Sequence, residues 1–508
     1  MDSIHDTIPS LIRNVKDQLA RNYKLDYPFK RFSLIEVPIQ FVGYERAWSQ
    51  AQETVQPEMV LFPEKGALFD DMNMTKQDQI YNFRYNIFSS EWPVANRVIE
   101  LYLQKKSENG GWERQINGIS NNEKAVLLLE KRTFKELLVD MELRNLQNNI
   151  VGQEASRLFA RAEINMGVEA FRDSLYSLLK RNTFLNIKFE NMLDTLGEIS
   201  RTDIRSLLGE WEKTTPLPFY SLGEPTLTKI TNKGGEEFFV LKMLISNNSD
   251  YDGIIHMYQP LEDPRAKTKI EMPAHTSKEF VSVWEDQIRN VEINTMVSGN
   301  LPNIISQDIN NVKQERNKIV KDSIYILPES SFDLPGEIIV YNEDSTLFIL
   351  SAPPIVGLLP KWLDEVEETP FKYSGISWWR PPLQWTATTN DRYYGKYIRS
   401  AFVIKSGDGS QTATWKVPVP EVGQYDLYYH VFKDDELRWN NNLQGEYHFK
   451  VKYGSEVEDA YVNLRKANEG WEQLGSYYFD SDTIRVVLTD ECKLRSVTAD
   501  AVKIVKRY

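Results

Sequence analysis

QTATWKVPVPEVGQYDLYYHVF, running from Gln411 to Phe432, reads as two β-strands, QTATWKVPV and QYDLYYHVF, on either side of a short PEVG link. Runs of the same kind surround it: YIRSAFVIK (Tyr397 to Lys405), EYHFKVKY (Glu446 to Tyr453), IRVVLTD (Ile484 to Asp490) and AVKIVKRY (Ala501 to Tyr508). Short segments rich in β-branched and aromatic residues, spaced by turn formers, are the pattern of an all-β sandwich. Residues 366–508 are therefore expected to form a C-terminal β-sandwich. The same stretch holds six of the twelve tryptophans and thirteen of the twenty-five tyrosines. That is an excess over an even spread, and it suits a binding or docking role.

Upstream, β-rich patterning begins at EEFFVLKMLIS and continues through turn signals such as NNSDYDG, MPAHTS and LPGEIIVYNEDS. This predicts a β-sandwich-like middle domain over 216–365, interrupted by a charged segment around Asn310 to Lys321. PLPFYSLGEP marks the boundary near 215. Before it the pattern is helical from about Glu91 to Trp211. In GVEAFRDSLYSLLKR, Val168, Phe171, Leu175, Leu178 and Leu179 fall on one stripe. A later helix carries Ile204, Leu207, Leu208 and Trp211 behind a Ser200 or Thr202 cap. The first helix bears Ile8, Leu11, Ile12, Val15 and Leu19, and FSLIEVPIQF and Met59 to Phe62 read as strands. The fold class is thus multi-domain α+β: a mostly helical region over 1–215, a β-rich middle and a C-terminal sandwich.

The formal net charge of −13 argues against broad binding to nucleic acid or anionic membranes, which need a positive surface. The single cysteine, Cys492, excludes an internal disulfide framework and a cysteine-based zinc site. The first thirty residues lack the apolar run of a secretory signal. The most apolar later segment, LFILSAPPIVGLLP (Leu347 to Pro360), is short for a span of roughly 20 residues and reads as buried strand and turn.

Catalytic constellations do not emerge. The five histidines form no i, i+4 pair on a helix, although His430 with His448, or His256 with His275, could meet on adjacent strands; half-exposed strand positions are the simpler account. There is no G-x-S-x-G elbow and no phosphate-cradling glycine loop. Cys492 in TDECKLRS reads as structural. Asp434/Asp435 and Glu365/Glu367 are uninformative pairs. Asp250 and Asp252 in NNSDYDG, and Asp480 and Asp482 in YFDSDT, read as ordinary acidic turns without full calcium-loop spacing. SWWRPPLQW, with Trp378, Trp379 and Trp385, has two readings. Exposed rings would stack on sugars or anchor a partner; buried rings would plug an interface, which the prolines and the nearby boundary favour.

Four motifs in order, YYGKYIRSA (Tyr394, Gly395, Ile398, Arg399, Ser400, Ala401), ATWKVPVPEVGQYDLYYH (Trp415, Gly423, Tyr425), GWEQLGSYYF (Gly470, Trp471, Leu474, Gly475) and ADAVKIVK (Ala499 to Val502), resemble the golvesin or xanthan-lyase-type carbohydrate-binding-like domain. The resemblance implies a β-sandwich appended to larger extracytoplasmic proteins. Arg399 and Asp500 would either contact a ligand or stabilise strand ends and the glycine turn. The N-terminal order of a helix, YPFKRFSLIEVP (Tyr27, Pro28, Phe29, Val37, Pro38) and PEMVLFPE resembles a gluzincin aminopeptidase of the aminopeptidase-N type, as do the helices through NTFLNIKFENMLDTLGEISRTDIRSLLGEW. In place of G-A-M-E-N stands QPEMV, and H-E-x-x-H is absent, so Glu58 lies near the amine-binding position without a zinc site beside it. This combination resembles extracytoplasmic portions of permease-type proteins of Bacteroidota.

The expectation is a non-catalytic scaffold or binding protein of the cell envelope, with no catalytic residue, metal or cofactor. Its binding residues are Trp378, Trp379, Arg399, Trp471, Asp500 and Glu58. A glycan or an envelope protein is the expected partner, with a membrane permease or a missing membrane segment supplying the address. The alternatives are a zinc metallopeptidase with unconventional ligands and a carbohydrate-binding or polysaccharide-active protein.

Overall fold

A computed structural model describes residues 94–103, 110–183, 185–231, 234–258, 268–309, 312–316, 320–328, 336–351, 371–377, 379–433 and 445–507, with short pieces before residue 90. Glu58, Trp378, Asp434, Asp435, Glu365 and Glu367 lie outside the described residues. The chain divides into two compact units. One comprises Met1–Ser107, Ala125–Pro216 and Lys269–Glu271; the other comprises Glu108–Lys124, Leu217–Thr268 and Met272–Tyr508.

The helices are α1 (Ala95–Leu103), α2 (Gly111–Asn117), α3 (Asn121–Lys131), α4 (Phe134–Val139), α5 (Gln147–Met166), α6 (Val168–Asn182), α7 (Phe189–Ser200) and α8 (Ile204–Gly209). In the first unit, α6 buries Phe171, Leu175, Leu178 and Leu179 of the stripe read from the sequence, together with Tyr176, while Val168 at its start is half-buried. These join Phe134, Phe159, Phe189 and Trp211 in one core. Apolar residues three and four apart fall on one helix face, so a polar chain with such a stripe closes into a helical layer around it. Two caps set the register. Thr133 and Glu136 exchange hydrogen bonds as a capping box on α4. On α8 the cap is Asp203, whose Oδ1 accepts the Ser206 N–H at 3.0 Å, rather than Ser200 or Thr202; Ser200 instead ends α7. The described positions between Ser10 and Arg21 are helical. Strand β1 (Ser33–Val37) runs parallel to β3 (Met59–Pro63), which pairs antiparallel with β2 (Val55–Gln56).

The remaining strands are β4 (Tyr220–Leu222), β5 (Thr226–Thr231), β6 (Glu237–Asn247), β7 (Gly253–Tyr258), β8 (Thr268–Met272), β9 (Thr276–Trp284), β10 (Asn290–Asn294), β11 (Ile304–Asp308), β12 (Val312–Arg316), β13 (Ser323–Leu327), β14 (Glu337–Tyr341), β15 (Phe348–Ser351), β16 (Thr386–Thr389), β17 (Ser400–Lys405), β18 (Thr412–Pro418), β19 (Gly423–Val431), β20 (Glu446–Tyr453), β21 (Glu456–Asn463), β22 (Gly470–Phe479), β23 (Thr483–Thr489), β24 (Ser496–Ala499) and β25 (Ala501–Lys506). The first sheet of the second unit has the order β12-β5-β6-β9-β13, with β4 also on β6, and β10 sits between β7 and β11 in another. The charged segment expected to interrupt this region instead contributes β12, parallel to β5.

The C-terminal β-sandwich is present. Its two sheets, β14-β25-β19-β22 and β15-β18-β23-β20-β21, turn their apolar faces toward one core of Trp415, Tyr425, Leu427, Tyr429, Phe449, Phe479, Ile484 and Val486. The burial of β19 alternates strictly, with Tyr425, Leu427, Tyr429 and Val431 inside, as the two-residue side-chain period of a strand requires. Strand β14 pairs with β25 and β15 pairs with β18, so these two strands, which precede the boundary expected near residue 365, join the sheets of the sandwich. In LFILSAPPIVGLLP only the opening part is described. It forms β15, whose Phe348 is buried while Ile349 stays 41% exposed.

Candidate functional site

Because β19 buries every second residue, Tyr428 and His430 emerge on the opposite face of its sheet. The neighbouring strands set partners beside them in register: His430 lies across from Trp471 on β22, and Tyr428 lies across from Lys503 on β25. A loop before β17 supplies a further ring, Tyr394. The loop is closed by hydrogen bonds from the Asn390 N–H to the Arg399 carbonyl and from the Tyr393 N–H to the Asn390 carbonyl, and the Arg399 guanidinium donates to the Asp391 carbonyl at 2.7 Å. Gly395 is the residue that lets it close, since a Cβ there would run into the Ile398 carbonyl oxygen.

Beneath these rings lies Asp500, between β24 and β25 and fully buried. Its carboxylate accepts the Tyr394 backbone N–H at 3.1 and 3.2 Å and the His430 Nδ1–H at 2.8 Å, while its carbonyl accepts the Trp415 indole N–H at 3.3 Å. Burial pushes the Asp500 carboxyl above its ordinary value, and His430, the Tyr394 N–H and Arg399 pull it back. A buried charge persists only where hydrogen bonds and opposite charge replace water, and this arrangement supplies both.

Above the carboxylate, the His430 ring packs against Trp471 (5.1 Å between centroids, 76°) and Tyr394 (5.7 Å), and those two rings meet at 5.0 Å. Tyr341 on β14 adds an edge contact to Tyr394 at 5.9 Å. The Lys503 ammonium lies 4.9 Å from the Trp471 ring centre and 5.4 Å from that of Tyr428, and is 3.3 Å from the Glu337 carboxylate. The Tyr394 phenol is pushed up to about 12, first by burial and then by Tyr341 and Glu337, so it is neutral at physiological pH and can both donate and accept.

The structure therefore brings Trp471, Arg399 and Asp500 around one point. Trp379 is 70% exposed with the Arg495 guanidinium over its ring at 5.6 Å, while Trp385 packs against the sandwich core. Of the two rings described in SWWRPPLQW, Trp379 is the exposed one and Trp385 the packed one. His430 and His448 stand on different sheets. His448 stacks on Tyr461 and contacts Asp459 and Glu491, and it does not approach His430 as a metal partner. His256 is buried on β7, whereas His275 lies in the turn before β9 at positive φ, bonded to Asp250. Asp252 accepts the Ala274 N–H, so Asp250 and Asp252 brace that turn. Among the described residues, no group of three or more His, Cys, Asp or Glu side chains is placed to hold a metal ion. Cys492 packs on the sandwich core, and its sulfur accepts the Leu494 N–H. Sequence reading names Tyr394 only as part of the YYGKYIRSA motif, and it does not reach Lys503 or the role of His430. The alternation in QYDLYYHVF, which separates His430 from the core residues, was the available signal.

Residues 381–506 match the Golvesin C-terminal domain family. No curated protein matches the chain. Among solved structures, a Paenibacillus xanthan lyase aligns at 15% identity over 58% of this chain and 27% of its own, with a TM-score of 0.25. Legionella pneumophila aminopeptidase A, in complex with aspartic acid, aligns at 12% identity over 61% of this chain and 34% of its own, with a TM-score of 0.29. A Bacteroides uniformis β-glucuronidase aligns at 11% identity over 61% of this chain and 32% of its own, with a TM-score of 0.18. The aligned region thus spans about a third or less of each of these proteins.

Proposed function

We propose that this chain is a carbohydrate-binding protein of the cell envelope whose C-terminal sandwich holds the sugar without catalysing a reaction on it. One observation carries the reading: the outward cluster of Tyr394, His430 and Trp471, backed by buried Asp500. Sugars present apolar C–H faces and a rim of hydroxyls, and a site for them needs flat rings beside fixed hydrogen-bonding atoms. This cluster offers both. The Golvesin C-terminal match over the same residues supports the reading and an extracytoplasmic place of action. No described helix is long and apolar enough to cross a membrane, so a transporter-type assembly would be reached through a partner or a further segment. The N-terminal helical unit fits the role of a peptidase-like scaffold in that assembly, with Q-P-E-M-V in place of the amine-binding motif.

The test is a glycan array probed with the full chain and with Trp471→Ala and Trp379→Ala. Binding abolished by the first substitution supports the site at His430. Binding abolished only by the second moves the sugar to the exposed Trp379 face, and no binding on any glycan sinks the proposal.

A further inference from the structure

We propose that His430 Nε2 is the hydrogen-bond acceptor of this site, accepting from a hydroxyl of a neutral glycan laid across the touching rings of Tyr394 and Trp471. The inference rests on the carbohydrate-binding reading and deepens it by naming the recognising atom and the charge class of the ligand. A carboxylate only accepts, so at 2.8 Å from Asp500 the Nδ1 atom is the donor, and the tautomer whose single proton sits there carries its lone pair on Nε2. The two nitrogens of an imidazole point to widely diverging sides of the ring. Nδ1 is turned to a side chain of zero exposure, which directs Nε2 away from Asp500, and the His430 side chain keeps 13% of its surface accessible. Nε2 has no hydrogen-bond partner among the described residues. An imidazole fixed in one tautomer by a carboxylate and open at its other nitrogen is a preorganised acceptor, and holding it so costs nothing when the ligand arrives.

The charges around the ring select the ligand class. Lys503 is set against Glu337 at 3.3 Å. Arg399 lies in the field of Asp500 and Asp391 and donates to the Asp391 carbonyl. Tyr341, Tyr394, Tyr428 and Trp471 complete the surroundings as neutral rings. Lys503 and Arg399 thus each already face an anion, so neither awaits a carboxylate or sulfate. A hydroxyl donor stacked on rings meets this arrangement without leaving a buried charge uncompensated.

The experiment uses the full chain labelled with 15N at its five histidines and titrated with cellotetraose, mannotetraose and β-1,4-galactotetraose, with tetragalacturonate as the anionic probe. His430→Phe, which keeps a flat ring and removes the acceptor, assigns the resonance and is titrated in parallel. The expected result is a saturable shift of the His430 Nε2 signal with a neutral tetrasaccharide, and about tenfold weaker affinity in His430→Phe, the loss of one hydrogen bond. Should His430→Phe misfold by near-ultraviolet circular dichroism, His430→Gln assigns the resonance instead, and the shift in the unsubstituted chain decides. Neutral-glycan binding with an unmoved Nε2 signal, or tighter binding of tetragalacturonate, overturns this inference and leaves the carbohydrate reading standing. Absence of saturable binding by all four probes overturns both.

Discussion

Replacing Asp500 by alanine removes the acceptor on which the site is built, and the structure sets the size of the effect. Two half-buried donors, the Tyr394 N–H and the His430 Nδ1–H, lose their buried partner, and an orphaned donor that water cannot reach costs about 1–3 kcal/mol. Against this stands the relief of no longer burying a carboxylate, which is what pushes that carboxyl upward. The orphaned donors win, because removing one side of a buried polar pair destabilises even where the pair itself contributes little. Asp500→Ala is expected to cost about 2–4 kcal/mol, and Asp500→Asn, which keeps one acceptor oxygen, about half of that. Urea unfolding followed by near-ultraviolet circular dichroism measures the cost, and the 15N spectrum of the histidine rings reports the tautomer. Both variants should show His430 exchanging between tautomers. An alanine variant within about 0.5 kcal/mol of the unsubstituted chain, with the His430 ring still protonated at Nδ1 alone, would refute the account of Asp500 as the anchor.

Gly395→Ala should cost about 1–3 kcal/mol and weaken glycan affinity at least as much as Trp471→Ala does, because a Cβ there meets the Ile398 carbonyl and displaces Tyr394; thermal unfolding and calorimetric titration check the two halves. Trp211→Ala, which removes a ring packed on Phe134 at 4.6 Å in the helical core, should destabilise by about 3–5 kcal/mol in chemical denaturation while glycan affinity stays unchanged. The Arg507 guanidinium and the Ser476 hydroxyl hold the Asp426 carboxyl below the usual range. Its contribution to stability is therefore complete above the unfolded value of about 3.9 and is lost as pH falls through the lower folded value. Asp426→Asn should accordingly flatten part of the acid limb of a stability–pH profile without altering its shape near neutrality.

What could be read from the chain was local, and what escaped was pairing. The stripe of Phe171, Leu175, Leu178 and Leu179 predicts its helix because residues three and four apart define the buried face by themselves. The strands QTATWKVPV and QYDLYYHVF were legible for the same reason. Strand β14, in contrast, looked like part of the middle region until its register with β25 placed it in the sandwich. No local period announces a partner some 160 positions away. Segment 312–316 looked like an interruption because its charges are those of an edge strand, one neighbour on one side only. At the site, the motifs hold Arg399, Trp471 and Asp500 and also Tyr394 and His430, but only the loop closed at Gly395 and the register of β19 with β22 show that the last two share the site.

The most direct test of the central claim is isothermal titration of the full chain, and of its Trp471→Ala variant, with the tetrasaccharide that binds best. The account expects saturable one-to-one binding that Trp471→Ala weakens at least tenfold while the circular dichroism spectrum stays the same. Binding undiminished by that substitution, or no heat of binding with any neutral glycan, would contradict it.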